Sequence, residues 1–203
     1  MEKEKNEKND YSIKIILLGN ETVGKTALIK AYNDKEFSDE SIATVGADSF
    51  SKTLTINEKE YTIQLWDTAG QEKFRSVSKI YFKGSDIVIF VYDITKETSF
   101  HDLEEFWIGY VKDYLKDDIV FGIAANKMDL FDKMEVENEK GKKLAEDNGA
   151  LFCGTSAKDD PKGFQTFVNQ LVNKHISKIN NIPKEQNINL KKSVKKKKKK
   201  RCC

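Results

Sequence analysis

Residues 19–26 read GNETVGKT, and they sit between an apolar run, IKIILLG at 13–19, and a helix-forming stretch, KTALIKAYND. Gly19, Gly24, Lys25 and Thr26 match the spacing G-x-x-x-x-G-K-[ST], in which glycines let the backbone curl around phosphate groups with its N–H groups turned inward. In such a loop the lysine brings a positive charge to the outer phosphates and the hydroxyl of the last residue serves Mg²⁺. The surrounding strand and helix supply the context that this pattern requires. Glu21 is the odd member, a carboxylate in the middle of a loop made for anions.

Working outward, the chain alternates short apolar runs with amphipathic stretches. DIVIFVYD at 86–93, DIVFGIAANK at 118–127 and ALFCGTS have the continuous apolar character of strands buried on both faces. SFSKTLTI and YTIQLWD alternate instead, around the turn NEKE, and read as a hairpin. Helical patterns fall at Ser99–Tyr114, about Asn138–Asn148 and Gly163–Lys178. Strand–helix alternation of this kind predicts an α/β fold: a mostly parallel sheet with one antiparallel edge strand and helices on both faces. Ligands of such sheets bind beyond the carboxyl ends of the strands. Phe106, Trp107, Tyr110 and Tyr114 read as a stripe facing the core, Cys153 as a small buried hydrophobe, and His101 and His175 have no companion ligands at metal spacing.

The loop alone indicates a nucleotide; its base is indicated by NKMD, Asn126–Asp129, directly after a buried strand. A carboxylate at Asp129 can accept two hydrogen bonds from the ring and amine of guanine, an arrangement adenine does not offer. Asn126 can serve both the base edge and the phosphate loop, and the Lys127 stem can cover the ring face. Ser156, Ala157 and Lys158 (SAK) follow the last strand, where a backbone N–H would meet the guanine carbonyl. DTAGQE, Asp67–Glu72, supplies Asp67 for Mg²⁺, the Gly70 N–H for the γ-phosphate and Gln71 to orient the attacking water. Thr44 is the second hydroxyl for Mg²⁺. These segments have the composition of loops whose order depends on the γ-phosphate.

With LWDTAGQEKFRS, VYDIT, NKMD and TSAK in place, and YFKGSD near the usual YYRGA, residues 12–178 resemble the Rab family of small Ras-like GTPases. The resemblance implies a P-loop NTPase G domain with a six-stranded sheet and five helices, slow hydrolysis of GTP, and control of vesicle traffic. It implies a nucleotide site made of Gly19, Asn20, Glu21, Thr22, Val23, Gly24, Lys25, Thr26 and Ala27, with Phe37, Thr44, Gly70, Asn126, Lys127, Asp129, Ser156, Ala157 and Lys158. Mg²⁺ would be held by Thr26, Thr44 and Asp67, and catalysis would rest on Gln71 and Lys25. Exchange factors, activating proteins, escort and dissociation-inhibitor proteins and effectors are the implied partners of a monomer that binds no DNA. Trp66 and Tyr81 would belong to the effector surface. Several positions depart from the family pattern: Ser49 stands for an effector-binding phenylalanine, with Phe50 on the other side of the strand. Ser41 stands for an aromatic over the phosphates, and Glu21 and Thr22 for residues that are usually small.

The 203-residue chain carries a net charge of +2, but residues 191–203, KKSVKKKKKKRCC, hold nine basic residues and no acid. Removing those nine charges leaves about −7 on the rest, so a mildly acidic body carries an intensely basic tail. Residues 1–11 read as a flexible arm, 12–178 as the G domain and 179–203 as a flexible tail. A polybasic run fits a solvated linker, a nucleic-acid contact or an anionic membrane, and its pairing with terminal cysteines favours the membrane. The resemblance implies prenyl groups on Cys202 and Cys203, and attachment to the cytoplasmic face of endomembranes or the plasma membrane with a soluble cytosolic pool. The rival readings are a GTP-holding module that hardly cycles and a nucleic-acid-associated GTPase. If Glu21 points inward, its bulk would obstruct an activating protein's arginine.

Overall fold

Apolar side chains on both faces make Tyr11–Leu18 (β1) a central strand: Ile15, Ile16, Leu17 and Leu18 are all fully buried. In this computed structural model, which describes residues 11–34, 47–68, 81–115 and 118–180, β1 is followed by the helix Lys25–Tyr32 (α1). The hairpin strands Ala47–Ile56 (β2) and Lys59–Thr68 (β3) come next, then Ile87–Asp93 (β4). A helical rod follows, made of Glu97–Asp102 (α2), a π turn over Leu103–Trp107 and Ile108–Tyr114 (α3). Val120–Asn126 (β5), a 3₁₀ segment Met128–Lys133, Asn138–Asp147 (α4), Leu151–Gly154 (β6) and Pro161–Asn180 (α5) complete the described elements. The strand order is β2-β3-β1-β4-β5-β6, antiparallel only between β2 and β3. The expected six-stranded, mostly parallel sheet with its antiparallel edge strand and five α-helical segments is therefore present.

Two apolar clusters, one on each face, hold the sheet between its helices. Ile15, Ile63, Ile89, Phe167 and Leu171 belong to one, and Ile16, Phe90, Leu103, Trp107 and Leu144 to the other. Alternation along each strand makes this two-sided core possible, because successive side chains point to opposite faces. From β1 the chain moves to one side of the sheet through β2 and β3, then returns past β1 to β4 on the other. That reversal opens a crevice at the carboxyl ends of β1 and β4, where α/β sheets bind ligands.

The structure refines four local expectations. The hairpin turn is Asn57 and Glu58 alone, both left-handed with φ of 49° and 63°, and Lys59 and Glu60 already pair in β3. Two left-handed residues give a turn whose twist matches that of the flanking strands. The last helix starts at Pro161 rather than Gly163, because Asp160 Oδ1 accepts a hydrogen bond from the Gly163 N–H at 2.9 Å. This is an N-cap followed by proline at the first helical position, where its missing N–H costs nothing. Cys153 is only half-buried, since β6 is the four-residue edge of the sheet. The aromatic stripe splits: Trp107 is buried, Phe106 and Tyr110 are half-buried and Tyr114 is exposed. Phe106, Tyr110 and Tyr114 lie four residues apart with successive ring centroids 5.1 Å apart, the first pair stacked and the second tilted; Phe106 and Tyr110 pack against the core and Tyr114 lies beyond it.

Glu58 is a non-glycine side chain in a conformation that glycine adopts freely, at a cost of about 1 kcal/mol. Glu58→Gly is expected to raise the unfolding free energy by about that amount, measured by chemical denaturation. An unchanged or lower midpoint would show that the turn is not strained.

Candidate functional site

The loop after β1 is shaped by close approaches that exclude side chains. A Cβ at Gly19 would lie 2.1 Å from the Val91 carbonyl oxygen, and one at Gly24 would lie 2.3 Å from Asn126 Nδ2. Both glycines also have positive φ, 145° and 97°. Gly24 caps α1 without a side-chain hydrogen bond, and its carbonyl accepts from the Leu28 N–H at 3.0 Å. Val23 is fully buried and Ala27 half-buried, which seats the loop on the core. Thr22 is exposed and left-handed, with φ of 62°, a conformation that disfavours β-branched residues.

Lys25 is 5% exposed, and its ammonium donates to the carbonyls of Gly19 at 2.9 Å and Asn20 at 2.8 Å. Burial lowers its pKa from 10.5 to about 8, against the opposing pull of the Asp67 and Glu21 carboxylates. Glu21 itself is exposed. Its electrostatic effect at the site is therefore to keep the buried lysine protonated. Thr26 donates its hydroxyl proton to Asp67 Oδ2 at 2.6 Å, joining α1 to the end of β3 across 41 residues of sequence.

On the other side, Asn126 ends β5 and donates from Nδ2 to the Val23 carbonyl at 2.8 Å. Its Oδ1 is buried with no hydrogen-bond partner among the described residues. Lys127 is left-handed, with φ of 67°, and its ammonium lies 2.6 Å from buried Asp93 at the end of β4. Asp129 Oδ1 accepts from the Ser156 hydroxyl at 2.6 Å, while Ser156 Oγ accepts from the Lys158 N–H at 3.2 Å and the Asp159 N–H at 2.9 Å. Ser156 and Ala157 are buried and Lys158 is exposed. NKMD and SAK are thus joined directly, and NKMD is tied to the phosphate loop.

Trp66 and Tyr81 also come together, with ring centroids 6.3 Å apart, and the Lys14 ammonium lies 4.6 Å from the centre of the Trp66 ring. Ser49 is exposed and directly opposite Trp66 in the β2–β3 register, while Phe50 turns to the other face and packs on the core. Phe37, Thr44, Gly70, Gln71, Cys202 and Cys203 lie outside the described residues. The sequence reading missed Asp93, whose partnership with Lys127 is signalled only by an acid ending an otherwise apolar strand in VYDIT. Asn20, expected at the nucleotide, has its side chain held by the α2–π rod and its backbone carbonyl facing Lys25.

The residues present fit a guanine nucleotide with Mg²⁺. Two glycines keep side chains out of the loop, Asn126 has an unused buried oxygen, and Thr26 and Asp67 bring together the hard oxygen donors that Mg²⁺ takes. Comparisons with known proteins agree with the geometry. A model of the Ras family matches residues 14–178. Ras-related protein Rab-3C of Mus musculus is 40% identical over 158 residues, which are 78% of this chain and 69% of that protein. Ras-related protein Rab-8B of Homo sapiens is 37% identical over 174 residues, 84% of each chain. Ras-related protein Rab-3A of Homo sapiens is 39% identical over 167 residues, 82% of this chain and 76% of that protein. The chain therefore belongs to the Ras family, and within it to the Rab-like small GTPases, which bind GTP and GDP with Mg²⁺, hydrolyse GTP and regulate vesicle traffic.

Proposed function

We propose that residues 12–178 act as a membrane-anchored guanine-nucleotide switch whose site is built from the residues described above. The observation that carries this reading is the Asn126 amide on the Val23 carbonyl, which makes the base-binding and phosphate-binding segments one unit. Lys25 holds the loop carbonyls and offers its charge to the phosphates; Thr26 and Asp67, with Thr44, would hold Mg²⁺. The ion, when bound, neutralises charge on the phosphate oxygens. Asp129 reads the guanine amine and ring nitrogen, positioned by Ser156, and Lys127 lies along the base with its head fixed by Asp93. Gln71 orients water and Gly70 senses the γ-phosphate. Trp66 and Tyr81 serve effectors, with Ser49 altering the partner set.

Residues 181–203 complete the proposal as the attachment segment, with residues 1–10 as an arm, since Tyr11 pairs in β1 and Ile179 and Asn180 belong to α5. No helix among the described residues is long and apolar enough to cross a membrane. Prenyl groups on Cys202 and Cys203 would add about 0.8 kcal/mol for each buried CH₂. The basic run adds up to about 1 kcal/mol per residue against an anionic leaflet. Two signals together anchor a protein stably where one does not.

Three measurements test this reading. Asp129→Asn is expected to shift preference from guanine towards xanthine nucleotides in competition binding; ATP competing as well as GDP in the wild type would overturn the base assignment. Intact mass of the protein from its own cells is expected to show two isoprenoids, lost when Cys202 and Cys203 become serine, with membrane binding that weakens as salt rises. Unmodified cysteines would remove the anchor. The third concerns pH. In the free protein Lys25 loses its proton near pH 8, and phosphate favours the charged form. GDP affinity is therefore fully supported below about pH 8 and falls as pH rises through it, with proton uptake on binding. Because Glu21 raises the lysine's pKa, Glu21→Gln should start that fall at lower pH. Calorimetric titrations of both proteins cancel the base's own titration, and superimposable profiles would deny Glu21 this role.

A further inference from the structure

Asn20 straddles two parts of the molecule. Its backbone carbonyl accepts from the Lys25 ammonium at 2.8 Å, inside the phosphate loop. Its side chain leaves the loop and is held by the α2–π rod. Asn20 Oδ1 accepts from the buried Trp107 indole N–H at 3.0 Å, and Asn20 Nδ2 donates to Asp102 Oδ2. One amide thus uses both of its ends on a single helical rod.

Such a grip depends on the π turn. Residues 102 and 107 are five positions apart, and in an unbroken α-helix that spacing separates two side chains by about 140° around the axis. A π turn closes i to i+5 and brings those positions back to one face. The turn spans Leu103–Trp107, so Asp102 just before it and Trp107 at its end converge on Asn20. A further contact comes from just before the rod: the Lys96 ammonium donates to the Thr22 hydroxyl at 3.0 Å. Residues 96–107 therefore hold the outer side of the same loop whose inner side faces Lys25.

We propose that Asn20, Asp102 and Trp107 form a positioning cluster that fixes the Asn20 carbonyl against Lys25 and thereby slows release of GDP. This rests on residues 19–26 being the phosphate loop. Because the amide of Asn20 is fixed by the rod, its carbonyl cannot swing without breaking a hydrogen bond to a buried indole. Loss of the cluster frees the loop and with it the ammonium. The effect belongs to the dissociation rate, where most affinity differences among variants of one site arise.

The test is a charge swap read by release of a fluorescent GDP analogue into excess GDP. Asn20→Asp sets two carboxylates against each other and is expected to speed release at least about fivefold. The double variant Asn20→Asp with Asp102→Asn restores the complementary pair and is expected to return release to within about twofold of wild type. Trp107→Phe keeps most of the ring but loses the N–H, and should speed release at least about threefold. With Trp66→Phe as background, Trp107 is the sole tryptophan, and its emission should differ between GDP-bound and nucleotide-free protein. A merely structural bond would leave that emission unchanged. Release rates unchanged in all three variants, a double variant no slower than Asn20→Asp, or identical emission in the two states would each overturn the proposal. Lys25→Ala separates the underlying reading: if it holds GDP as tightly as wild type, the loop assignment itself fails. Loss of binding there, with silent cluster variants, sinks the cluster alone.

Discussion

A single buried ammonium organises the nucleotide end of this molecule. Lys25 is taken out of water by the same loop whose carbonyls it must satisfy, so its charge is expensive in isolation and useful in context. Desolvation pulls its pKa down to about 8, and Asp67 and Glu21 pull the other way. This gives the acid in the loop a physical role. A carboxylate there opposes incoming phosphate, yet it also preserves the cation that phosphate needs. Because Glu21 is exposed, water weakens its repulsion at distance, while its effect on the desolvated lysine persists.

The sheet topology turns scattered residues into one site. Gly19, Asp67, Asp93 and Asn126 all fall at or just beyond carboxyl ends of strands that neighbour one another in the order β3-β1-β4-β5. Contacts then run between adjacent strand ends, Thr26 to Asp67 and Lys127 to Asp93, and across β4 from Asn126 to Val23. Each contact joins residues distant in sequence, so the site forms only when the sheet has its full register.

Much of this was legible in the chain because the deciding signals are local. The apolar runs of β1, β4 and β5 lie on both-face-buried strands, and GNETVGKT, NKMD and SAK each carry their geometry in a few consecutive residues. What stayed hidden depends on partners far along the chain. Nothing within DLEEFW announces a π turn; the residue that its two ends both bind, Asn20, lies more than eighty residues earlier. Helical spacing alone had grouped Trp107 with Phe106, Tyr110 and Tyr114, but only Trp107 is fully in the core and the row ends in an exposed Tyr114. Cys153 reads as buried because its neighbours are apolar, but burial at an edge strand is set by what lies beside it in the sheet. The Asp160 cap was missed because the glycine that accommodates it resembles a helix boundary itself: a Cβ at Gly163 would lie 2.1 Å from Asp160 Oδ2.

Thr22 carries a consequence for how the switch discriminates. A β-branched residue held left-handed costs about 1–2 kcal/mol, and the Lys96 contact to its hydroxyl helps to retain that shape. If the loop keeps one shape under GDP and GTP alike, the same penalty enters the free energy of both complexes and cancels in their ratio. Only a difference between states moves an equilibrium. The bent threonine then sets how firmly any nucleotide is gripped, and leaves the choice between the two to the segments that feel the third phosphate.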